Sequence, residues 1–454
     1  MTLPQPLWNI EDDNIFHLIA IYKIIEQIFY CAVTFTDGQN LSLVLASCRR
    51  TVHSKISLPW RLQLMSFYRS QRRIALLSLF FLVMSMLAFG ADGGARNGKS
   101  FIYTLSNPSG PNSVVAYEVS AETGQLTYTG SYATGGLGQA TDNIIAVQQS
   151  AIAWNGHFLF VVNPGSNDLS VFSVNADGSL DLVRHGIPSG GNGPVSIAIH
   201  GNLMYVANIG DDSVIPANYT GFRIDEGRLE PIAGSTVTLN VLDHPATVLF
   251  NDDGSLLAGS RGIAGKVDVF QVERSGLLTR TAELPGQPGV LGLAFNPVRK
   301  SQLMGALTFL PGAASYAISD SGDISVVNTI TDVPSIDSCW EVISKDGSKA
   351  WVSAPMSASI TLYQIDQQGA LTRVSAHGTA GLGAGAADLT FDAHERFLYV
   401  LKSFGNKLHA MRLNDSLAEA GVEDVQTVDI PGSQLSAIGL QRVDIAGEDS
   451  NGRR

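Results

Sequence analysis

The feature that most constrains this chain is a repeat of roughly 47 residues, seen most clearly in residues 193–229. Two apolar runs, residues 195–199 and 203–207, flank a polar turn, and an alternating segment follows at residues 221–224. Gly, Asn and Pro mark the breaks, which is typical of short strands and tight turns, because Gly and Asn accept positive φ and Pro cannot continue a ladder. Four short strands per unit at a fixed period predict a β-propeller.

Copies of the third strand give the number of units. They occur at residues 115–118, 171–174, 221–224, 267–270, 315–318, 362–365 and 409–412, the first displaced by an insertion near residues 135–149. The first unit lacks an innermost strand, and residues 436–440 resemble that missing strand. We therefore predict an all-β, seven-bladed β-propeller over residues 101–440, closed by pairing of its N- and C-terminal strands and followed by a disordered tail at 441–454.

The first 90 residues differ from the repeats. We expect residues 1–64 to be a poorly structured extension. Residues 65–90 combine a basic stretch, an apolar run at 74–89 and a small-x-small sequence, which is the anatomy of a signal peptide if translation starts at Met65. If translation starts at Met1, the same run predicts a membrane anchor, somewhat short of the ~20 residues that span a bilayer. Both alternatives place the propeller in the secretory pathway or outside the cell.

Charge and cysteine content exclude several classes of function. The formal net charge is −12, and an acidic surface repels phosphate backbones, so we expect no nucleic-acid partner. Cys31 and Cys48 precede the repeats and only Cys339 lies within them, which excludes a disulfide inside the propeller. No Cys/His pattern has the spacing of a structural zinc site. We expect a monomer that needs no cofactor.

Several segments are similar to a known family. The Ser-Gly-Gly-Asn-Gly-Pro sequence at residues 189–194 and the Tyr-Val-Ala-Asn sequence at 205–208 resemble lactonase-type seven-bladed β-propellers. That family includes 6-phosphogluconolactonases and fungal 3-carboxymuconate cyclases. Residues 160–168, 339–340 and 397–400 add to the resemblance, which covers about residues 101–440. It implies hydrolysis or formation of a small lactone, with a lactone or a carboxylated ring as the substrate.

The chain departs from this family at one place. Characterised relatives typically carry Arg and His directly after the Gly-Pro of this repeat, whereas here Val195 and Ser196 follow Pro194. An Arg-His pair would supply an anion-binding cation and a proton-transfer group, and neither Val nor Ser can do so. The sequence therefore predicts that any catalytic site uses other residues.

Alignment of the innermost strands indicates which residues those are. Glu341 and Asp388 fall at one position on neighbouring blades, at the mouth of the central channel. A pair of carboxyls can act as acid and base in lactone opening when one has a raised pKa. We predict Glu341 and Asp388 as this pair, with Lys402 or Arg261 facing the developing oxyanion.

Four further residues are predicted to bind the substrate. They are His244, Asn163, Asn208 and Trp340, of which Trp340 could stack on a ring. One alternative is a divalent cation in the channel, held by the two carboxylates with the two asparagine side chains as oxygen ligands. Another is that these polar side chains only bridge water in the channel and that the asparagines are turn residues.

Two functions remain open from the sequence. The first is a secreted lactonase-like or cyclase-like enzyme, favoured by the carboxyl pair. The second is a non-catalytic secreted or cell-surface propeller that binds a ligand or a protein partner, favoured by the missing Arg-His pair. The fold cannot separate them, because propellers serve both roles.

Overall fold

The computed structural model describes residues 98–140, 149–211, 213–331, 335–378, 385–434 and 436–446. These residues belong to a compact unit that spans residues 95–454. Their strands form seven antiparallel sheets, so the predicted seven-bladed β-propeller is confirmed. The predicted extension and the signal or anchor segment at 65–90 lie outside the described residues. No helix in the described part of the chain has the length and hydropathy needed to cross a bilayer.

Each blade is built in chain order from the channel outwards, except that the last strand of the chain belongs to blade 1. Blade 1 contains β1 (Lys99–Leu105), β2 (Pro111–Val119), β3 (Leu126–Leu137) and, innermost, β29 (Ile438–Ile445). Blade 2 contains β4 (Ile152–Trp154), β5 (Phe158–Asn163), β6 (Asp168–Val174) and β7 (Leu180–Pro188). Blade 3 contains β8 (Pro194–His200), β9 (Leu203–Asn208), β10 (Asn218–Asp225) and β11 (Arg228–Pro231), with β12 (Val237–Thr238) paired to β10.

The other four blades repeat the same order. Blade 4 contains β13 (Pro245–Phe250), β14 (Leu256–Arg261), β15 (Lys266–Val272) and β16 (Leu278–Leu284). Blade 5 contains β17 (Val290–Phe295), β18 (Gln302–Leu307), β19 (Gly312–Ile318) and β20 (Ile324–Thr331). Blade 6 contains β21 (Trp340–Ile343), β22 (Lys349–Ala354), β23 (Ser359–Ile365) and β24 (Leu371–Gly378). Blade 7 contains β25 (Ala386–Phe391), β26 (Phe397–Lys402), β27 (Lys407–Leu413) and β28 (Val422–Asp429), with 3₁₀ turns at Ser403–Gly405 and Glu419–Gly421.

The ring closes through blade 1, as the sequence predicted. Strand β29 pairs antiparallel with β1, from Lys99 opposite Ile445 to Leu105 opposite Ile438. The predicted boundary at residue 440 was too early, because residues 441–445 continue this ladder instead of starting a disordered tail. Strand β29 also contacts the innermost strands β25 and β4 of the two adjacent blades, which completes the ring around the channel.

The hydrophobic core lies between adjacent blades. The second strand of each blade is covered on both faces, and β9, for example, is buried at every position. Burial on both faces explains why these strands read as continuous apolar runs in the sequence, whereas the outer strands, such as β7, are largely exposed.

A repeated contact joins each of several blades to the next. A tyrosine of the second strand donates a hydrogen bond to a glycine carbonyl in the turn between the third and fourth strands of the following blade. The pairs are Tyr103 with Gly178 (2.9 Å), Tyr205 with Gly276 (2.7 Å) and Tyr399 with Gly124 (3.2 Å). The Tyr399–Gly124 pair joins blade 7 to blade 1 and therefore secures the closing contact.

Gly124 provides a test of this closing contact. Its φ is +73°, and a Cβ there would overlap the buried ring of Phe397. We expect Gly124→Ala to lower the free energy of unfolding by about 2–4 kcal/mol, from the left-handed backbone and the forced repacking together. Gly234→Ala is the matched control, because Gly234 has a φ of +76° and no neighbour within 4 Å, and we expect it to cost about 1–2 kcal/mol. Equal losses in urea unfolding would show that the packing at Gly124 contributes nothing.

Candidate active site

Glu341 lies on the innermost strand of blade 6 and is buried, with 1% of its surface exposed. Its carboxyl faces Gly292 of blade 5, where any Cβ would overlap Oε2, so a glycine is needed to make room for it. Neither carboxyl oxygen has a protein hydrogen-bond partner of ordinary geometry. Burial is the main cause that raises the pKa of Glu341 well above its usual value; the Ala306 amide opposes it, and the nearby charge of Asp388 adds a smaller increase. Burial therefore favours the protonated form of Glu341.

Asp388 lies on the innermost strand of blade 7 and is also buried. Its Oδ2 accepts hydrogen bonds from the backbone N–H of Leu440 (2.8 Å) and Ser150 (3.3 Å), and its Oδ1 accepts one from Leu389 (2.8 Å). Burial raises the pKa of Asp388 to about 7, because it outweighs the effect of these amides, which lower the pKa. The two carboxyls interact electrostatically, and burial is the main cause that raises the pKa of each.

The strand registers differ from the predicted alignment by one residue. Glu341 pairs with Val352, whereas Leu389, not Asp388, pairs with the corresponding Val400. The difference arises because β25 contains a register shift after Ala386 that β21 lacks. As a result, Glu341 faces blade 5, whereas Asp388 faces the strands of blades 1 and 2.

Gln149 connects the two carboxyl residues, and the sequence analysis did not identify it. Its Nε2 donates to the backbone carbonyl of Glu341 (2.8 Å), and its side chain also hydrogen-bonds to Asp388. Gln149 lies at the end of the insertion that precedes β4. Since the insertion has no counterpart in the other repeats, no pattern in the sequence could identify this residue.

Several buried polar atoms around the channel mouth lack a protein partner. On or beside the innermost strands they include, besides the Glu341 carboxyl, Gln149 Oε1, Thr247 Oγ1 and Trp340 Nε1, and Asn208 Oδ1 is a further one at the end of β9. The Thr247, Trp340 and Glu341 atoms lie on innermost strands, and Gln149 shortly precedes the innermost strand β4. Buried polar atoms are rarely left unpaired in proteins. This set therefore marks the mouth as a place where the polar atoms of a ligand would fit.

The Arg261 side chain forms its ion pairs within blade 4. Its guanidinium forms ion pairs with Asp243 (3.0 Å), Asp268 (2.8 Å) and Glu283, and the arginine is only 2% exposed. These carboxylates compensate its charge, so the predicted role of facing an oxyanion has no support from its contacts. Arg261, and not the preceding Ser260, occupies the strand end that corresponds to Asn208 and Lys402.

Lys402 ends β26 at the mouth of the channel, in the same blade as Asp388. It is fully buried and pairs in register with Ala386, two residues before Asp388. Burial lowers the pKa of Lys402 to about 8, against the opposing charge of Asp424. Lys402 therefore shares blade 7 with Asp388, and its charge interacts with Asp424 and His409.

The predicted asparagines are used within the fold. Asn163 accepts a hydrogen bond from Thr134 (2.7 Å) and donates one to Asp168 (2.8 Å), and Asn208 donates to Asn218 (2.9 Å). Among the described residues, no group of three or more His, Cys, Asp or Glu side chains could hold a metal ion. The divalent-cation alternative therefore gains no support from the geometry.

The remaining two predicted residues lie on or just before innermost strands, in blades 6 and 4. Trp340 directly precedes Glu341 and is buried, with its Nε1 among the unpartnered atoms. His244 is buried in the loop that leads into β13, has a φ of +47°, and its carbonyl accepts a hydrogen bond from Gly262 (2.9 Å). Both positions are at the mouth end of the propeller.

A histidine cluster between blades 6 and 7 was not predicted as functional. His409 Nε2 lies 2.8 Å from Asp424 Oδ1, and His377 Nε2 lies 3.2 Å from the same oxygen. Burial lowers the pKa of His409. Asp424 is also the charge that opposes the lowered pKa of Lys402. These residues come from different outer strands, so their proximity could not be read from their spacing in the sequence.

Comparisons with known proteins agree with the fold and with the predicted resemblance. A family model described as "Lactonase, 7-bladed beta-propeller" matches residues 99–233. No curated protein matches the chain significantly. The resemblance to lactonase-type seven-bladed β-propellers is thus confirmed in the first three blades by the family model.

Solved structures extend the likeness to the whole propeller. A "putative 6-phosphogluconolactonase" from Bacteroides uniformis is 18% identical, with a TM-score of 0.62, and the match covers 76% of this chain and 100% of that one. A periplasmic gluconolactonase from Pseudomonas aeruginosa is 16% identical, with a TM-score of 0.61, and covers 77% and 99%. At these identities the likeness establishes the fold only.

Arg261 gives a prediction about stability. We expect Arg261→Gln to lower the free energy of unfolding by about 3–5 kcal/mol, because it leaves Asp243 and Asp268 buried without their cation. Arg280→Gln is the control, since Arg280 is 36% exposed and lies 3.5 Å from the same Asp268, and we expect it to cost about 1 kcal/mol or less. Urea unfolding of both variants measures these two losses in the free energy of unfolding. Wild-type stability in Arg261→Gln would contradict a structural role.

Proposed function

We propose that this protein is a lactone hydrolase whose site lies at the channel mouth around Glu341 and Asp388. The observation that carries the proposal is the pair of buried carboxyls, one with a pKa well above the usual range and one with a pKa of about 7. Two interacting carboxyls with separated pKa values are the arrangement that enzymes use for an acid and a base. The lactonase family model and the names of the solved relatives support a lactone as the substrate.

In this proposal, Asp388 is the base and Glu341 is the acid. The Asp388 carboxylate takes a proton from water as the water oxygen bonds to the carbonyl carbon of the lactone. Glu341 donates its proton to the ring oxygen as the bond between that oxygen and the carbonyl carbon breaks. The product is a hydroxy acid, and transfer of a proton from Asp388 to Glu341 through solvent restores the starting state. One water is consumed for each lactone opened.

The surrounding residues have supporting roles in this proposal. Lys402, with a pKa of about 8, is mostly protonated at neutral pH and is the cation assigned to the developing oxyanion. Gln149 holds the two acidic residues in a fixed relation through its contacts with both. Arg261 has no part in the reaction, because its charge is compensated within blade 4.

We also propose that the protein acts outside the cytosol. The basis is the segment at residues 65–90, which has the composition of a signal peptide or an anchor. N-terminal sequencing of the protein recovered from the medium is expected to give a start near Ala91.

A non-catalytic role is the second candidate, and one observation favours it. Asp388 accepts backbone hydrogen bonds from Ser150, Leu389 and Leu440, which belong to or precede the innermost strands of three blades. A carboxylate whose only role is to stabilise the closed propeller would have these contacts. In that case the propeller would bind a ligand or a partner without converting it.

Variants of the two carboxyl residues separate these candidates. We expect Asp388→Asn and Glu341→Gln each to lower kcat for lactone hydrolysis at least ~100-fold, because each removes a proton-transfer group. Wild-type activity should rise as the pH increases through about 7, since Asp388 must be ionised, and should fall again at higher pH as Glu341 loses its proton. A pH-stat assay with several lactones measures both effects.

The control is Asp392→Asn. Asp392 is buried in the same blade and accepts backbone hydrogen bonds from Phe397 (2.8 Å) and His394 (3.4 Å), but it lies at the opposite end of β25. The Asp392→Asn variant removes a buried aspartate without changing the channel mouth. We therefore expect its kcat to stay within about twofold of wild type. Absence of turnover in the wild type, or full activity in Asp388→Asn and Glu341→Gln, would overturn the proposed hydrolysis.

A further inference from the structure

The two ends of the propeller differ in the character of their exposed side chains. At the mouth end lie the turns between second and third strands and the loops that lead into the innermost strands. Phe309, Leu310, Ile336 and Met356 occupy these turns and loops in blades 5 and 6, with 60%, 41%, 61% and 51% of their surfaces exposed. We call these four residues the mouth patch. Val214, Leu242 and Ile263 continue the apolar surface along blades 3 and 4.

The mouth patch is held in place by hydrogen bonds between its segments. Thr308 Oγ1 donates to the carbonyl of Ser338 (2.8 Å), which joins the turn of Phe309 to the loop of Ile336. The Ile336 N–H donates to Ser357 Oγ (2.7 Å), and the Met356 N–H donates to the buried Asp337 carboxylate (2.7 Å). The apolar side chains are therefore exposed on a fixed backbone, which favours a binding role for them.

The chain segments that carry the mouth patch lead directly to the residues around Glu341. Ile336 lies five residues before Glu341 on the segment that enters the channel. Phe309 lies three residues after Ala306, whose amide is close to the Glu341 carboxyl. Gly292, the residue against which that carboxyl packs, belongs to the innermost strand of the same blade as Phe309. A molecule with its reactive group at Glu341 would therefore extend across the mouth patch.

The segments that form the mouth patch carry no positive charge for an anionic arm of a substrate. Residues 308–311, 335–339 and 355–358 contain no Lys, Arg or His. Val195 and Ser196 follow the Gly-Pro of blade 3, and the Arg261 charge is compensated by three carboxylates. A phosphorylated or carboxylated arm would lose its hydration at the mouth patch without gaining a cation, which is unfavourable.

We propose that the substrate is a neutral lactone whose ring carries an alkyl or acyl chain, with the chain bound along the mouth patch. This inference rests on the proposed lactone hydrolysis and specifies its substrate class. The lactone ring would be held at Glu341 and Asp388. The alkyl or acyl substituent would cover the exposed surfaces of Phe309 and Ile336 and remove them from water. The chain takes part in binding only and is not changed by the reaction.

A homologous series of lactones tests the inference. The full-length protein is assayed with γ-butyrolactone and with γ-lactones that carry substituents of one to eight carbons, below their aggregation concentrations. We expect kcat/KM to rise roughly two- to fourfold per methylene over the first several carbons, chiefly through KM, because each methylene leaves water.

The double variant Phe309→Ser with Ile336→Ser tests whether the substituent chain binds at the mouth patch. We expect its loss of kcat/KM, relative to wild type, to grow with the length of the substituent. Val298→Ser is the matched control, because Val298 is 58% exposed but lies in the turn between β17 and β18, at the opposite end of the propeller. It is expected to keep the wild-type dependence on chain length.

The outcomes distinguish the two proposals. Turnover of γ-butyrolactone without any gain along the series overturns this inference and leaves the proposed hydrolysis standing. If the double variant keeps the full rise of kcat/KM with chain length, the inference is also overturned. The mouth patch would then bind a protein or membrane partner instead of the substrate. If no lactone in the series is hydrolysed, the proposed function fails and the substrate class fails with it.

Discussion

Closure of the ring is the constraint on which the rest of the structure depends. Blade 1 is complete only when β29 pairs with β1, so residues more than 300 positions apart must meet before the propeller has a continuous core. Asp388 reinforces this closure, because its carboxyl accepts backbone hydrogen bonds from Leu440 on β29 and from Ser150 at the start of blade 2. A single side chain thus joins blades 7, 1 and 2 at the centre of the molecule.

The same position gives Asp388 its chemical character. The amides hold the carboxyl in one orientation, and burial raises its pKa to about 7, so the group titrates near neutrality. Glu341 has no ordinary hydrogen bond to its carboxyl, and burial raises its pKa well above the usual value. The raised pKa values of both residues therefore have the same main cause, burial on the innermost strands of the ring.

Most of the architecture could be predicted from the sequence, because strand length, turn residues and a fixed period are local features. The site was predicted less completely. Glu341 and Asp388 were found from the repeat register, although one is displaced by a residue because of a register shift in β25. Gln149 comes from an insertion without equivalents. The partners of Arg261 lie on three separate segments, so its ion pairs depend on tertiary packing that spacing alone does not reveal.

We propose that the channel mouth beside Glu341 and Asp388 is the functional site. A crystal structure of the protein with a γ-lactam that carries an octyl chain, an analogue that resists hydrolysis, tests this most directly. We expect the lactam ring within hydrogen-bond distance of Glu341 and Asp388, with the chain along Phe309 and Ile336. A lactam bound elsewhere, with both carboxyl residues uncontacted, would contradict it.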